Sequence, residues 1–194
     1  MMLETERLIL RNFSADPTDL QALLQIMEDP IVNRFLPWFP LQDLAEAENF
    51  YQEKILPQMQ QPIGIYWAIC LKENNLPIGY LTLSAEDAHD FGYGLRREFW
   101  NQGIVTEAAQ KAVAHIKESN LPFITATHDV ENPASGKVMQ KLGMSYQYSY
   151  QELCQPKNTL VIFRLYQLNF SDSSQTYQGY WEKYPTHFIE DLSD

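Results

Sequence analysis

The run Phe99-Trp100-Asn101-Gln102-Gly103-Ile104-Val105-Thr106-Glu107-Ala108-Ala109 constrains the fold of this 194-residue chain more than any other segment. Ile104, Ala108, Ala112 and Ile116 recur at helical spacing, with Val105, Ala109 and Val113 beside them, so a helix with one apolar stripe must lie against a core. Gly103 stands directly before it, where a backbone bends sharply or lets something approach closely. The first N–H groups of a helix lack intrahelical partners, and the macrodipole adds partial positive charge there. A phosphate can be held by such groups without a basic side chain. An ordinary turn and cap would use the same residues, so the flanking sequence has to decide.

Those flanks read as alternating strands and helices. Leu8 to Arg11 is a first strand, and Asp16-Pro17 opens a helix with Leu20, Leu23, Leu24 and Met27 on one side. A second helix carries Leu44, Ala47, Tyr51 and Ile55 and is expected to end at Pro57. Ile65 to Leu71 and Ile78 to Leu83 form a hairpin around Lys72-Glu73-Asn74-Asn75. A strand ending near Leu95 precedes the helix described above, and Phe123 to His128 follows it. Asn132-Pro133 is a strong helix start, Gly143 a left-handed stop, and Tyr146 to Leu153 with Asn158 to Leu168 a last hairpin. This order predicts one α/β domain over residues 1–170 around a mixed sheet. Ser171 to Ser174 then reads as a linker to a tail, 171–194 in all, with five aromatic residues between Tyr177 and Phe188. So many rings predict that the tail docks, on the acceptor side of its own domain, on a second subunit, or over exposed core.

Ten Phe, eleven Tyr and four Trp supply a full core, and the formal net charge of −11 disfavours nucleic acid and anionic membranes as partners. Cys70 and Cys154 have no ligand spacing and read as free thiols, and the four histidines are scattered, so no metal is expected. No signal segment precedes Thr5 and no run is long enough to span a bilayer, which predicts a cytoplasmic protein, monomer or homodimer. No nucleophile elbow, Walker loop or dinucleotide glycine pattern occurs.

Three blocks together resemble the GNAT acetyltransferase superfamily, and within it the RimJ/RimL-like group: Asp90-Phe91-Gly92-Tyr93-Gly94-Leu95, Glu98 to Ala108, and Asn132, Ser135, Val138 with Lys141 to Met144. Thr5 to Arg11, Asp29-Pro30 and Leu36-Pro37-Trp38 are similar as well, so the likeness runs from about residue 3 to 168. It implies a central mixed, mostly antiparallel twisted sheet flanked by helices, with a V-shaped opening between two central strands that receives acetyl-CoA. It also implies direct transfer to a primary amine in a ternary complex, with no acyl-enzyme. Four positions depart from the family pattern: Trp100 stands for Gln or Arg, Asn101 for a Gly whose left-handed backbone Asn also tolerates, Val105 for Gly or Ala, and Met139 for a tyrosine. Methionine cannot donate a proton, which rules out a tyrosine general acid at that place.

By the same resemblance, the amides of Gln102, Gly103, Ile104, Val105 and Thr106 hold the pyrophosphate, and Leu95, Arg96 and Arg97 lie along the pantetheine. An N–H near Leu95 would stabilise the oxyanion. Asp90 is the expected base, and partial burial beside Phe91 and Tyr93 would raise its pKa; a solvated loop acid beside Glu86 and Asp87 is the other reading. Asn132 and Ser135 lie three apart on one helix face, Asn132 toward the cofactor and Ser135 toward its thiol end, where it would assist the departing thiolate. Both residue types are also ordinary in a first turn. Arg96 and Arg97 suit phosphates and solvent alike, and Phe35 to Phe39 suits an acceptor wall or a packed lid. The resemblance implies acetylation of a protein or peptide N-terminal amine. Alternatives are a small-molecule amine (amino acid, polyamine or aminoglycoside) and a non-catalytic acyl-CoA sensor.

Overall fold

The computed structural model describes residues 2–171 and 175–192, which excludes most of the Ser171–Ser174 linker. β1 (Met2–Glu4), not expected from the sequence, pairs antiparallel with β2 (Leu8–Asn12). α1 (Pro17–Met27) starts as its sequence dictates: the Asp16 carboxylate accepts from Asp19 N–H at 2.9 Å, and Pro17 fills the first turn. Asp19, only 2% exposed, meets Arg11 through two bonds of 2.7 and 2.8 Å, fastening α1 to β2.

α2 (Leu44–Phe50) begins at the cap Asp43 and passes through a π-helical turn, Tyr51–Ile55, into α3 (Leu56–Met59). Pro57 therefore does not end this helix, contrary to expectation. The wider π turn, in which Leu56 N–H reaches Tyr51 O, shifts the hydrogen-bond ladder just ahead of the ring. β3 (Ile65–Leu71), β4 (Pro77–Leu83) and β5 (Phe91–Leu95) complete an antiparallel sheet in the order β1-β2-β3-β4-β5.

α4 (Ile104–Ile116) buries Ile104, Ala108, Ala109, Ala112 and Ile116, the stripe its spacing predicts. β6 (Phe123–Asp129) and α5 (Pro133–Lys141) follow, with Asn132 capping α5 and Gly143 at φ +82° closing it. β7 (Ser145–Cys154), β8 (Thr159–Asn169), the single-turn α6 (Gly179–Lys183) and β9 (His187–Phe188) end the chain, and the second sheet has the order β6-β8-β7-β9. Every ladder is antiparallel. One parallel bridge, Asp90–Thr125, joins the two sheets, so the expected mixed sheet is two halves touching at a point.

Alternation along the strands sends Trp67, Ile69, Leu81, Phe91 and Leu95 toward α4 and α5, in one cluster with Ile124, Ala126 and Met139. Tyr66, Ala68, Cys70 and Tyr80 face the other way, against α1 and α2. On that second face of the far half, Tyr148, Tyr150 and Leu165 pack with Tyr177, Tyr180, Trp181 and Tyr184. The tail thus lies on its own sheet.

Candidate active site

β5 and β6 meet at Asp90–Thr125 and form no ladder beyond it among the described residues. Antiparallel pairing uses alternate residues, and Ser84 N–H to Asp90 O (2.9 Å) with Arg96 N–H to Ile78 O (2.9 Å) fixes which ones bond β4. Tyr93 and Leu95 have the opposite parity, so their backbone groups point away from β4 into the gap. The Trp100 indole N–H already bonds Leu95 O at 2.8 Å. What remains is a strand edge able to pair with an extended amide-bearing ligand.

At the open end stands α4. Gly103 is left-handed (φ +74°, ψ 3°), as is Asn101 (φ +60°), and no side chain caps the helix. The first intrahelical bond runs from Glu107 N–H to Gly103 O at 2.9 Å, leaving the N–H groups of Ile104, Val105 and Thr106 without helical acceptors. A Cβ on Gly103 would meet only the Arg7 guanidinium, at 3.7 Å, so the space in front of these amides is open. Val105 turns partly buried toward the core, which takes up its bulk. Gln102 is exposed, and its carbonyl accepts from Arg7 at 3.0 Å. Arg7 is held by Glu107 at 2.6 Å, and that carboxylate also accepts from Thr5 at 2.5 Å. Sequence reasoning missed Arg7, whose partners lie about a hundred residues away. An uncapped helix start beside one guanidinium fits a pyrophosphate.

Asp90 sits at the narrow end, partly exposed, with Oδ1 3.3 Å from Thr125 Oγ1. That hydroxyl also lies 2.8 Å from the Ala88 carbonyl. Burial pushes the Asp90 carboxyl up to about 7, with the Thr125 contact opposing and Glu86 adding to the rise. A carboxyl raised this far can exchange a proton near neutral pH.

Across the gap, the Tyr93 hydroxyl donates to the Ser135 carbonyl at 2.7 Å and accepts from the Ser135 hydroxyl at 3.0 Å. Ser135 is thereby brought to β5. Tyr93, not singled out from the sequence as a site residue, is its partner, and burial raises the phenol pKa. The Asn132 side chain accepts from Ser135 N–H at 3.4 Å, so its oxygen serves as the helix cap. Met139 is 1% exposed and belongs to the core.

The face carrying Asp90 also carries Gly92 and Gly94. A Cβ on Gly94 would lie 2.4 Å from the Tyr80 ring, which occupies the space a side chain there would need. The hydroxyls of Tyr66 and Tyr80 are buried with no partner. Arg96 is paired with Glu98 and donates to Gln25 at 3.0 Å, while Arg97 meets Asp29 at 3.5 Å. Both guanidiniums thus have protein partners. In the 29–40 segment, Trp38 turns inward against Phe50 (5.4 Å), whereas Phe39 is 60% exposed. The Lys157 ammonium bonds the carbonyls of Asn33 and Arg34 at 2.7 and 3.0 Å, and Arg34 meets Glu131 at 2.9 Å, tying this loop to the other half-sheet. Among the described residues no three His, Cys, Asp or Glu side chains gather as a metal site, and no helix is long and apolar enough to cross a membrane.

Residues 7–145 match the acetyltransferase (GNAT) domain family. A protein of Bacillus licheniformis named as an uncharacterized N-acetyltransferase, p20, is 27% identical over 171 residues, 86% of this chain and 94% of that protein. A GNAT-family acetyltransferase from Bacillus anthracis superposes with a TM-score of 0.73 at 24% identity, over 88% of this chain and 99% of that one. A structure of RimL, described as a ribosomal L7/L12 alpha-N-protein acetyltransferase in complex with coenzyme A, gives 0.73 at 20% identity, over 87% and 98%.

Proposed function

The chain belongs to the GNAT acetyltransferase family, and on that premise we propose that it moves the acetyl group of acetyl-CoA onto a protein or peptide N-terminal amine. It is an acyltransferase; the acceptor class and residue roles are our reading. The observation that carries it is the placement of the Asp90 carboxyl, pushed up by burial, at the point where β5 and β6 part.

In this reading the amides of Gly103 to Thr106, with Arg7, hold the pyrophosphate, and the outward groups of Tyr93 and Leu95 hold the pantetheine. Asp90 takes one proton from the acceptor ammonium, directly or through a water. The amine nitrogen attacks the thioester carbonyl, and the Leu95 N–H receives the oxyanion. As the C–N bond forms and the C–S bond breaks, the attacking nitrogen gives up its second proton, which reaches the thiolate through the Ser135 hydroxyl or through water, so Ser135 ends as it began. Tyr93, bonded to Ser135, sets where that hydroxyl points. Direct attack in a ternary complex leaves Cys70 and Cys154 without a covalent role; Cys70 is fully buried and its thiol pKa is pushed up to about 12.

RimL, named for an N-terminal protein substrate, supports the peptide class by likeness of fold alone. The family departures Val105 and Met139 would favour a sensor, and the inward turn of Val105 weakens that reading. Thiol release measured against a panel of peptides, amino acids and polyamines tests the proposal. Turnover on peptides is expected; turnover on small amines only would replace the acceptor class, and CoA binding without turnover would favour the sensor.

A further inference from the structure

The segment 175–192 lies beyond the family match, and it brings aromatic rings to the side of Asp90. Gln167 fixes its entry: Nε2 donates to the Gln175 carbonyl at 2.7 Å and Oε1 accepts from Tyr177 N–H at 2.8 Å. Gln167 is the ladder partner of Thr125, which is in turn the bridge partner of Asp90. The Tyr177 ring lies 6.1 Å from Phe123, whose other neighbour is His89 at 5.6 Å, one residue before Asp90. Tyr180 stands 5.3 Å from Tyr177 and 5.0 Å from Tyr150. The His89 N–H bonds the Glu86 carbonyl at 2.8 Å, so the turn that carries Glu86, Asp87 and Asp90 stands beside the Phe123 and Tyr177 rings. The charges of Asp87, Glu86 and Asp90 all act on Tyr177.

The placement is firmly held. β9 pairs with β7, Gln151 N–H bonds Thr186 O at 2.9 Å, and Arg164 holds Glu190 at 2.5 Å. The mouth beside Asp90 is acidic: Glu86 and Asp87 are exposed, and neither takes part in an ion pair among the described residues. The cation that acts on Tyr177 is Lys183, whose ammonium already sits 4.9 Å above the Tyr184 ring. One ring of this cluster therefore already carries an ammonium group. Tyrosine faces and carboxylates together suit a cation that keeps part of its hydration.

We propose that Tyr177 and Tyr180, with Glu86 and Asp87, form an acceptor subsite that selects amines carrying a second positive charge near the reacting nitrogen, such as a peptide N-terminus followed by lysine or arginine. This rests on the reading of Asp90 as the group that meets the acceptor. The tail then completes the site and sets its specificity, while the donor side is finished before the tail begins.

The test uses the full chain saturated with CoA, titrated calorimetrically with Ala-Lys-Ala and Ala-Ala-Ala amides and with spermidine, alongside kcat/KM for the same amines. The lysine peptide is expected to be preferred by about 5-fold or more. In E86Q/D87N the preference should fall below about 2-fold with KM for acetyl-CoA unchanged. Tyr180→Ala should weaken it and Tyr180→Phe retain it. Equal affinity for both peptides, or a preference that survives in E86Q/D87N, overturns the proposal. Spermidine binding that depends equally on Glu86 and Asp87 keeps the charge rule and makes the acceptor a free polyamine. Charge-selective binding without thiol release from any amine leaves the subsite standing and removes the acetyl-transfer reading.

Discussion

The hydroxyls of Tyr93 and Ser135 lie 3.0 Å apart, and the Tyr93 hydroxyl also donates to the Ser135 carbonyl at 2.7 Å, so one phenol bridges β5 to the first turn of α5. Removing it with Tyr93→Phe should lower kcat by about 10- to 100-fold with little change in KM for acetyl-CoA. Ser135→Ala should act similarly, and the double variant should be no worse than either alone. Full kcat in Tyr93→Phe would detach the pair from the chemistry.

Asp90→Asn should remove the acidic limb of the kcat/KM profile, whose midpoint in the wild type is expected near pH 7. Affinity for acetyl-CoA should stay nearly unchanged. An unaltered rate profile would leave bulk water as the base.

The same group shapes stability. Its folded pKa lies above the ordinary carboxyl value of 3.8, so between about pH 4 and 7 the folded state binds more protons than the unfolded one. Stability from Asp90 is therefore complete below pH 4 and is lost as the pH rises through 7. Asp90→Asn should raise Tm by about 2 °C or more at pH 8 and leave it unchanged at pH 4. Thermal scans at the two pH values decide this; a Tm gain confined to pH 4 would contradict it.

Gly103→Asp places a side chain at φ +74° and a negative charge before the free amides of α4. CoA affinity, measured by calorimetry, should fall by about 10-fold or more. Gly103→Ala separates the two effects: it should cost about 1 kcal/mol of stability from the left-handed backbone and leave more of the affinity.

Gly94→Ala should destabilise by about 1–3 kcal/mol, because the new methyl would lie 2.4 Å from the Tyr80 ring. Pairing it with Tyr80→Ala should cost less than the sum of the single changes. Additive losses in thermal unfolding would show that the two residues do not compete for space.

Where the controlling forces are local, the sequence by itself determined the outcome. The α4 stripe, the left-handed Asn101 and Gly103, the caps Asp16 and Asn132 and the Gly143 stop were legible because period and φ preference act within a few residues. Pro57 misled because a π turn, set by packing around Tyr51 and Ile55, let the helix run past it. Tertiary structure alone decided what reaches across the chain. Tyr93 and Ser135 are 42 residues apart, and Arg7 and Glu107 are 100 apart. Desolvation of Asp90 depends on which strands close over it, and the position of Tyr180 depends on which sheet face the tail covers. Residue preferences carry no information about such distances, because burial and hydrogen-bond partners exist only once the two half-sheets have met at Asp90 and Thr125.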